Sequence, residues 1–326
     1  MAEPAPPPFD AAVRLDAWEP DYGPEVAFDA ETPPLGRVDL TVERADWAPV
    51  LPPPGGPRRQ IVFVDGVRRL ETRLIVPAPA GVAHGVLGSC AAGVVRVGEG
   101  AAFGESVIRR VLLTGGGVLG RHGRIAPDLV FEPESVEAYD REAPVIAFHT
   151  AMRSLEAGIA HALLAAGELV VLDGPLTFDT TTPGGVGLIK RLTNLHLEPD
   201  RAGLLERLPV GARTPMFTLD SGGRYGRLAW YLRLSDPLLG MTRLGGVVRL
   251  EVLEGLGLEA ARALAGLTAV ALPGLASTLA RDARAPANLL PVGALESRLR
   301  HSLGDPELIR RRIWAAFARW DVASGA

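Results

Sequence analysis

The chain has 326 residues, 47% of them hydrophobic and 22% charged, with a formal net charge of −4. That length and balance suit one large domain or two small ones with a sizeable core. They exclude a generally basic coat for nucleic acid, though not a local basic cleft. The one cysteine, Cys90, excludes an internal disulfide and a Cys-type zinc site.

Residues 1–58 are rich in Pro and acidic residues and end in Leu51-Pro52-Pro53-Pro54-Gly55-Gly56-Pro57. They read as an extension or arm preceding a domain over 59–326. Leu15, Trp18, Tyr22 and Trp47 are apolar anchors by which that arm would dock on the body or on a partner. The first ten residues have neither the basic start nor the apolar run of a secretory signal. No stretch is long and charge-free enough to span a bilayer, so a cytoplasmic protein without membrane contact is the expectation.

From Gln60 the pattern turns to β. Ile61–Val64 is a first, buried strand that delivers Asp65 at its end, with Gly66 releasing the chain. Arg68–Pro77 alternates as a second strand. Val82–Val97 is a third, with Gly88 or Gly93 as a bend, and Val107–Leu113 a fourth. The loop Gly115-Gly116-Gly117-Val118-Leu119-Gly120 lacks the Lys-Ser/Thr ending of a phosphate cradle and reads as a turn. Val145, Phe148, Met152, Leu155, Ile159 and Leu163 recur at helical spacing, predicting a helix over 145–166 that carries Arg153 and Glu156. Leu169–Leu172 is a strand ending at Asp173. Beyond a Gly-rich link and Gly187–Arg191, the patterns predict a helix near Asp200–Leu208. Strands follow near Thr214–Leu219, Leu228–Leu234 and Val247–Val252, then helices over Leu258–Leu272, Pro291–Leu303 and Pro306–Trp320. No internal repeat is apparent.

Asp65, Glu156 and Asp173 follow one another as strand, helix and strand. A ribonuclease-H-like α/β architecture, a mixed central sheet flanked by helices, brings residues in that order to one point. Three carboxylates at one point repel each other until cations neutralise them. Hard divalent ions take such oxygen ligands. Bound in a pair, they activate water against a phosphodiester. Singly, each residue has a plainer reading: turn caps for the two Asp, a solvated helix face for Glu156. Lys190 is the one lysine in the chain, every other Lys/Arg position being Arg. A compact ammonium that has resisted replacement fits a specific site, and chance survival fits equally well.

The segments Val64-Asp65-Gly66-Val67-Arg68-Arg69, Arg153-Ser154-Leu155-Glu156, Leu172-Asp173-Gly174-Pro175-Leu176, Gly187-Leu188-Ile189-Lys190-Arg191 and Trp230-Tyr231-Leu232-Arg233-Leu234, in this order, resemble the NurA nuclease family over roughly residues 60–305. The resemblance implies a ribonuclease-H-like nuclease that degrades DNA with Mn2+ or Mg2+, as single-strand endonuclease and 5'-3' exonuclease, in double-strand-break repair. It also implies a homodimer enclosing a DNA channel and a hexameric translocating ATPase, HerA, as partner. Asp65, Glu156 and Asp173 become metal ligands, and Lys190 a basic group at the scissile phosphate. A late acidic or histidine ligand on a helix after a proline maps best onto Glu296, with Asp282 and His301 as competitors. Phosphate contacts would fall to Arg68, Arg69, Arg191, Arg213 and Arg233, with Tyr231 stacking or positioning a phosphate. Trp230 is expected in the core, and Arg310-Arg311-Arg312 on a solvated helix face. The rival to a nuclease is a non-catalytic adaptor subunit of the same translocase complex, and a further alternative is an RNA-directed nuclease with the same centre.

Overall fold

The computed structural model describes residues 13–16, 38–54, 59–120, 123–176, 182–219 and 226–324. In chain order the early strands are β1 (Arg14–Leu15), β2 (Val38–Asp39), β3 (Ile61–Ala78), β4 (Gly81–Val97), β5 (Ala101–Thr114), β6 (Gly123–Ala126) and β7 (Leu129–Ser135). Helix α1 (Ala143–Ala165) leads to β8 (Leu169–Asp173) and β9 (Gly185–Ile189). After the single-turn α2 (Pro199–Ala202) come β10 (Phe217–Leu219), β11 (Arg227–Arg233) and β12 (Val247–Leu253). Three helices close the fold: α3 (Leu258–Ala271), α4 (Leu290–Ser302) and α5 (Pro306–Ser324).

The strands form one twelve-stranded mixed sheet in the order β2-β10-β11-β12-β9-β8-β3-β4-β5-β7-β6, with β1 beside β3. β3, β4 and β5 make an antiparallel meander, and β8 and β9 then continue the sheet parallel to β3. The crossover from the meander to β8 runs through α1, as parallel pairing requires. β3 is shared along its length: Ile61–Val64 pair with β8 on one side, and Leu74 and Ile75 pair with β1 on that same side.

Period-two alternation sorts β3 between two helical layers. Ile61, Phe63 and Val67 pack with Val292, Leu295 and Leu299 of α4, while Val62 and Val64 pack with Ala160, Leu163 and Leu164 of α1. Phe148 of α1 lies so close over β4 that a Cβ at Gly88 would sit 2.4 Å from its ring. Gly88 is therefore a packing glycine. The register along β4 shifts twice, against β3 where Leu70 and Thr72 face Gly88 and Leu87, and against β5 between Gly93 and Val95.

The expected boundary at Asp65 is corrected. Asp65-Gly66 is no turn: both residues lie inside one 18-residue strand, opposite Gly93 and Ala92. The two strands expected on either side of it are one. β6 and β7 were not anticipated, and the helix expected over 200–208 is only α2 and a 3-10 turn at Leu205–Arg207. The described part of residues 1–58 lies on the body. β1 pairs with β3, β2 pairs with β10, and Trp47 meets Phe217 edge-on at 6.3 Å while its indole N–H donates to the Arg201 carbonyl. Glu43 is clasped by Arg213, with N–O distances of 2.7 and 2.8 Å, and accepts the Met216 N–H. Trp18 and Tyr22 lie outside the described residues.

Candidate metal centre

Asp65 occupies the α4 face of β3, following the alternation that sends Phe63 and Val67 there. Val171 of β8 packs on the same layer, so Asp173, two residues on, faces α4 as well. Gly174, at φ +114°, then turns the chain away, a backbone state that favours glycine. Helix α4 supplies Glu296 from above. Oxygen atoms of Asp65, Asp173 and Glu296 lie within 4.8 Å of one another, the spacing of ligands around one cation.

Asp65 is 5% exposed. Its Oδ1 accepts the Gly66 N–H at 2.8 Å, whereas Oδ2 is buried and has no hydrogen-bond partner. A buried, unpartnered carboxylate oxygen is costly when charged. Accordingly burial, with repulsion from Asp173 and Glu156 behind it, pushes the Asp65 carboxyl well above the usual carboxylate range.

Glu156 stands apart from this set. It reaches the sheet from the α1 side and lies over Gly66, where a Cβ would come within 2.6 Å of its Oε1. Gly66 is therefore the residue that lets a buried Glu approach the strand. Glu156 is 2% exposed, and its Oε2 accepts from Arg153 at 2.6 Å. Burial pushes its carboxyl up to about 7; the Arg153 charge opposes that shift and the Asp173 charge adds to it. Arg153 also donates to the Asp173 and Pro175 carbonyls, so the Glu156–Arg153 pair clamps the chain where it leaves β8.

Lys190 follows β9 directly. Its ammonium donates to Asp173 Oδ2 and, at 2.7 Å, to Asn288 Oδ1. Asn288, fully buried in the loop before α4, passes the connection to Asp282 Oδ2 at 2.5 Å. Asp282 is bound by Arg284, whose hydrogen bond holds that carboxyl well below the usual range. Arg284 in turn grips both oxygens of Glu296, at 2.8 and 2.6 Å. A continuous chain of side-chain contacts thus runs from Lys190 through Asn288, Asp282 and Arg284 to Glu296. Among the three candidates for the late ligand, Glu296 is the one in the carboxylate set. Asp282 braces Arg284, and His301 is exposed near the far end of α4.

The residues assigned to phosphate contacts separate. Arg191, next to Lys190, is exposed, and Arg68 is half-buried on β3 opposite Cys90. Arg69 is bound to Glu71 and to the Gly304 carbonyl, tying β3 to the end of α4. Arg213, Tyr231 and Arg233 go into the interior. Arg213 pairs with Glu43. Tyr231 stacks on Phe217 at 5.6 Å and donates its hydroxyl to the Leu195 carbonyl. Arg233 donates to the carbonyls of Leu205, Arg243 and Gly245. These three hold the fold, and their polar groups are already spent on it. Trp230 is fully buried. Arg312 pairs with Asp128 on the surface.

Sequence reasoning missed Asn288 and Arg284. Asn288 sits in Ala285-Pro286-Ala287-Asn288, which reads as an ordinary loop, and nothing in the pattern points to it. Arg284 had a faint signal in the alternating charges of Arg281-Asp282-Ala283-Arg284. No protein-family model matches the chain, and a search of curated proteins finds no match.

Proposed function

We propose that this chain is a divalent-metal-dependent nuclease acting on DNA, of the NurA kind that its motifs resemble. The observation that carries the reading is the buried, unpartnered Oδ2 of Asp65 beside the carboxylates of Asp173 and Glu296. Such an oxygen fits a cation better than it fits an apolar interior. The strand order β5-β4-β3-β8-β9, three antiparallel strands followed by two parallel ones, supports the ribonuclease-H-like form of the α/β fold.

Asp65, Asp173 and Glu296 would hold Mn2+ or Mg2+. The ion supplies Lewis-acid chemistry, lowering the pKa of a water and offsetting charge on the leaving oxygen. Lys190, with Asp173 and Asn288 each taking one ammonium hydrogen, has a third to offer a phosphate oxygen. Glu156 stiffens the Asp173 end of β8 through Arg153 and adds negative potential without being a ligand. Arg191, exposed beside Lys190, is the basic group offered to DNA next to the centre, whereas Arg68 lies on the opposite, α1 face of β3. A homodimer and a HerA-type ATPase partner belong to the same proposal.

The test is cleavage of end-labelled linear and single-stranded DNA by the full chain with Mn2+. Asp65→Asn and Asp173→Asn are expected to lower cleavage roughly a hundredfold or more, ~2.7 kcal/mol of barrier, while DNA binding and folding persist. Undiminished cleavage by either folded variant overturns the reading. Equal cleavage of an RNA of the same sequence would turn it toward the RNA-directed alternative.

A further inference from the structure

Arg284 bridges a member of the carboxylate set to a second acid outside it. Its guanidinium takes both oxygens of Glu296, a member of the carboxylate set, in a bidentate bond at 2.8 and 2.6 Å. The same group donates to both oxygens of Asp282, through Nε and Nη2, at 3.1 and 2.9 Å. The Arg284 side chain is 51% exposed, while those of Glu296 and Asp282 are 12% and 13% exposed. The two acids are fixed and the arginine has room to move. Asp282 is fixed further by Asn288, and Asn288 by Lys190. A bidentate guanidinium satisfies a carboxylate as fully as any side chain can. A divalent ion using Glu296 therefore meets a full positive charge already seated on its ligand.

We infer that Arg284 is a resident counter-ion that holds Glu296 in the metal-free protein and gives it up to an entering divalent cation, falling back on Asp282. This role rests on the carboxylate set being a cation site. Arg284 keeps three converging acids compact until metal arrives. It also weakens metal binding, because its release is part of every binding event. Asp282 is the second seat that makes release inexpensive. The arrangement makes opposite demands on two neighbouring residues. Loss of Arg284 tightens metal binding, and loss of Asp282 loosens it by leaving Arg284 with Glu296 as its one anionic partner in this circuit.

The experiment is calorimetric titration of the full chain with Mn2+ alone, at one pH, with Asp65→Asn as the variant lacking the site. Arg284→Gln is expected to bind Mn2+ about five- to tenfold more tightly than the wild type, the size expected for removing one charge a few ångströms from a divalent ion at a partly screened site. Asp282→Asn is expected to bind several-fold more weakly. A melting series supplies a second readout: without metal Arg284→Gln melts below the wild type, and saturating Mn2+ closes that gap. A folded Arg284→Gln that binds Mn2+ no more tightly than the wild type overturns the counter-ion role and leaves the metal site standing. If Arg284→Gln does not fold, Asp282→Asn carries the test, and unchanged or tighter binding there overturns the role. Absence of Mn2+ binding by the wild type, or binding unaffected by Asp65→Asn, overturns both the role and the metal site beneath it.

Discussion

Replacing Asp65 with Asn is expected to stabilise the protein in the absence of metal and to abolish the metal binding proposed above. The Asp65 carboxyl is raised by burial, so its contribution to stability is fully present in acid and is lost as pH rises through its folded value. An Asn does not titrate and its amide oxygen can still accept the Gly66 N–H. The gain should be about 1–3 kcal/mol where the Asp65 carboxyl is ionised and should shrink as pH falls, read from urea unfolding with a chelator present. Glu156 slopes the same way: its folded value of about 7 lies above the ordinary 4.5, so the metal-free fold loses stability across that window as pH rises. Gly66→Ala is predicted to cost about 1–3 kcal/mol by forcing Glu156 from its seat. Shortening that acid in Gly66→Ala/Glu156→Asp should recover part of the loss, which a double-mutant cycle would detect as non-additivity. The composition pointed to Lys190 through its rarity, and Asp173 was legible as the end of an apolar run. Asp65 was legible as an acid but not in its setting. Asp-Gly is a turn signal in isolation, and only the Glu156 side chain above Gly66 explains a glycine inside a strand.

Among the elements, α1 should be the most sensitive to loss of one side chain. Phe148 is fully buried against the glycine notch in β4, and Phe148→Ala is expected to cost about 3–5 kcal/mol, measured by chemical denaturation. Gly88→Val should be comparably damaging, since already a Cβ there falls 2.4 Å from the ring. The helices α1, α3, α4 and α5 were readable in the sequence because each lays an apolar stripe on the sheet at a period near 3.6. Strands β8, β11 and β12 were readable as short β-branched or aromatic runs. β6 was not, having four residues, and β7 was not, because its apolar start runs into Glu-Pro-Glu-Ser. The roles of Arg213 and Arg233 were hidden for a different reason. An arginine that ends its path on backbone carbonyls or a buried Glu has the same letter as one that meets phosphate, and the partner that decides between them lies elsewhere in the chain.

At the scale of the molecule, one of those partners, Glu43, joins the described segment 38–54 to the rest. Burial opposes ionisation of Glu43, but the Arg213 hydrogen bond, the Met216 N–H and the Arg262 charge hold its carboxyl below the usual range. Arg213→Ala should therefore cost about 3–5 kcal/mol, the scale of an ion pair broken inside the protein, and should expose Trp47 to quenchers of its fluorescence. Both the pairing of β2 with β10 and the contact of Trp47 with Phe217 depend on that joint. The carboxylate set also has a bearing on the protein's synthesis. Asp65 comes from early in the chain, Asp173 from its middle and Glu296 from a helix near its end, so ribosomal production brings them out in that order, far apart in time. A nascent chain halted before Leu290 already has β3, β8 and the Asp282, Arg284 and Asn288 side chains but lacks Glu296. Contacts of such long sequence separation form late in folding. The three acids can therefore meet only once α4 has been made and packed on the sheet.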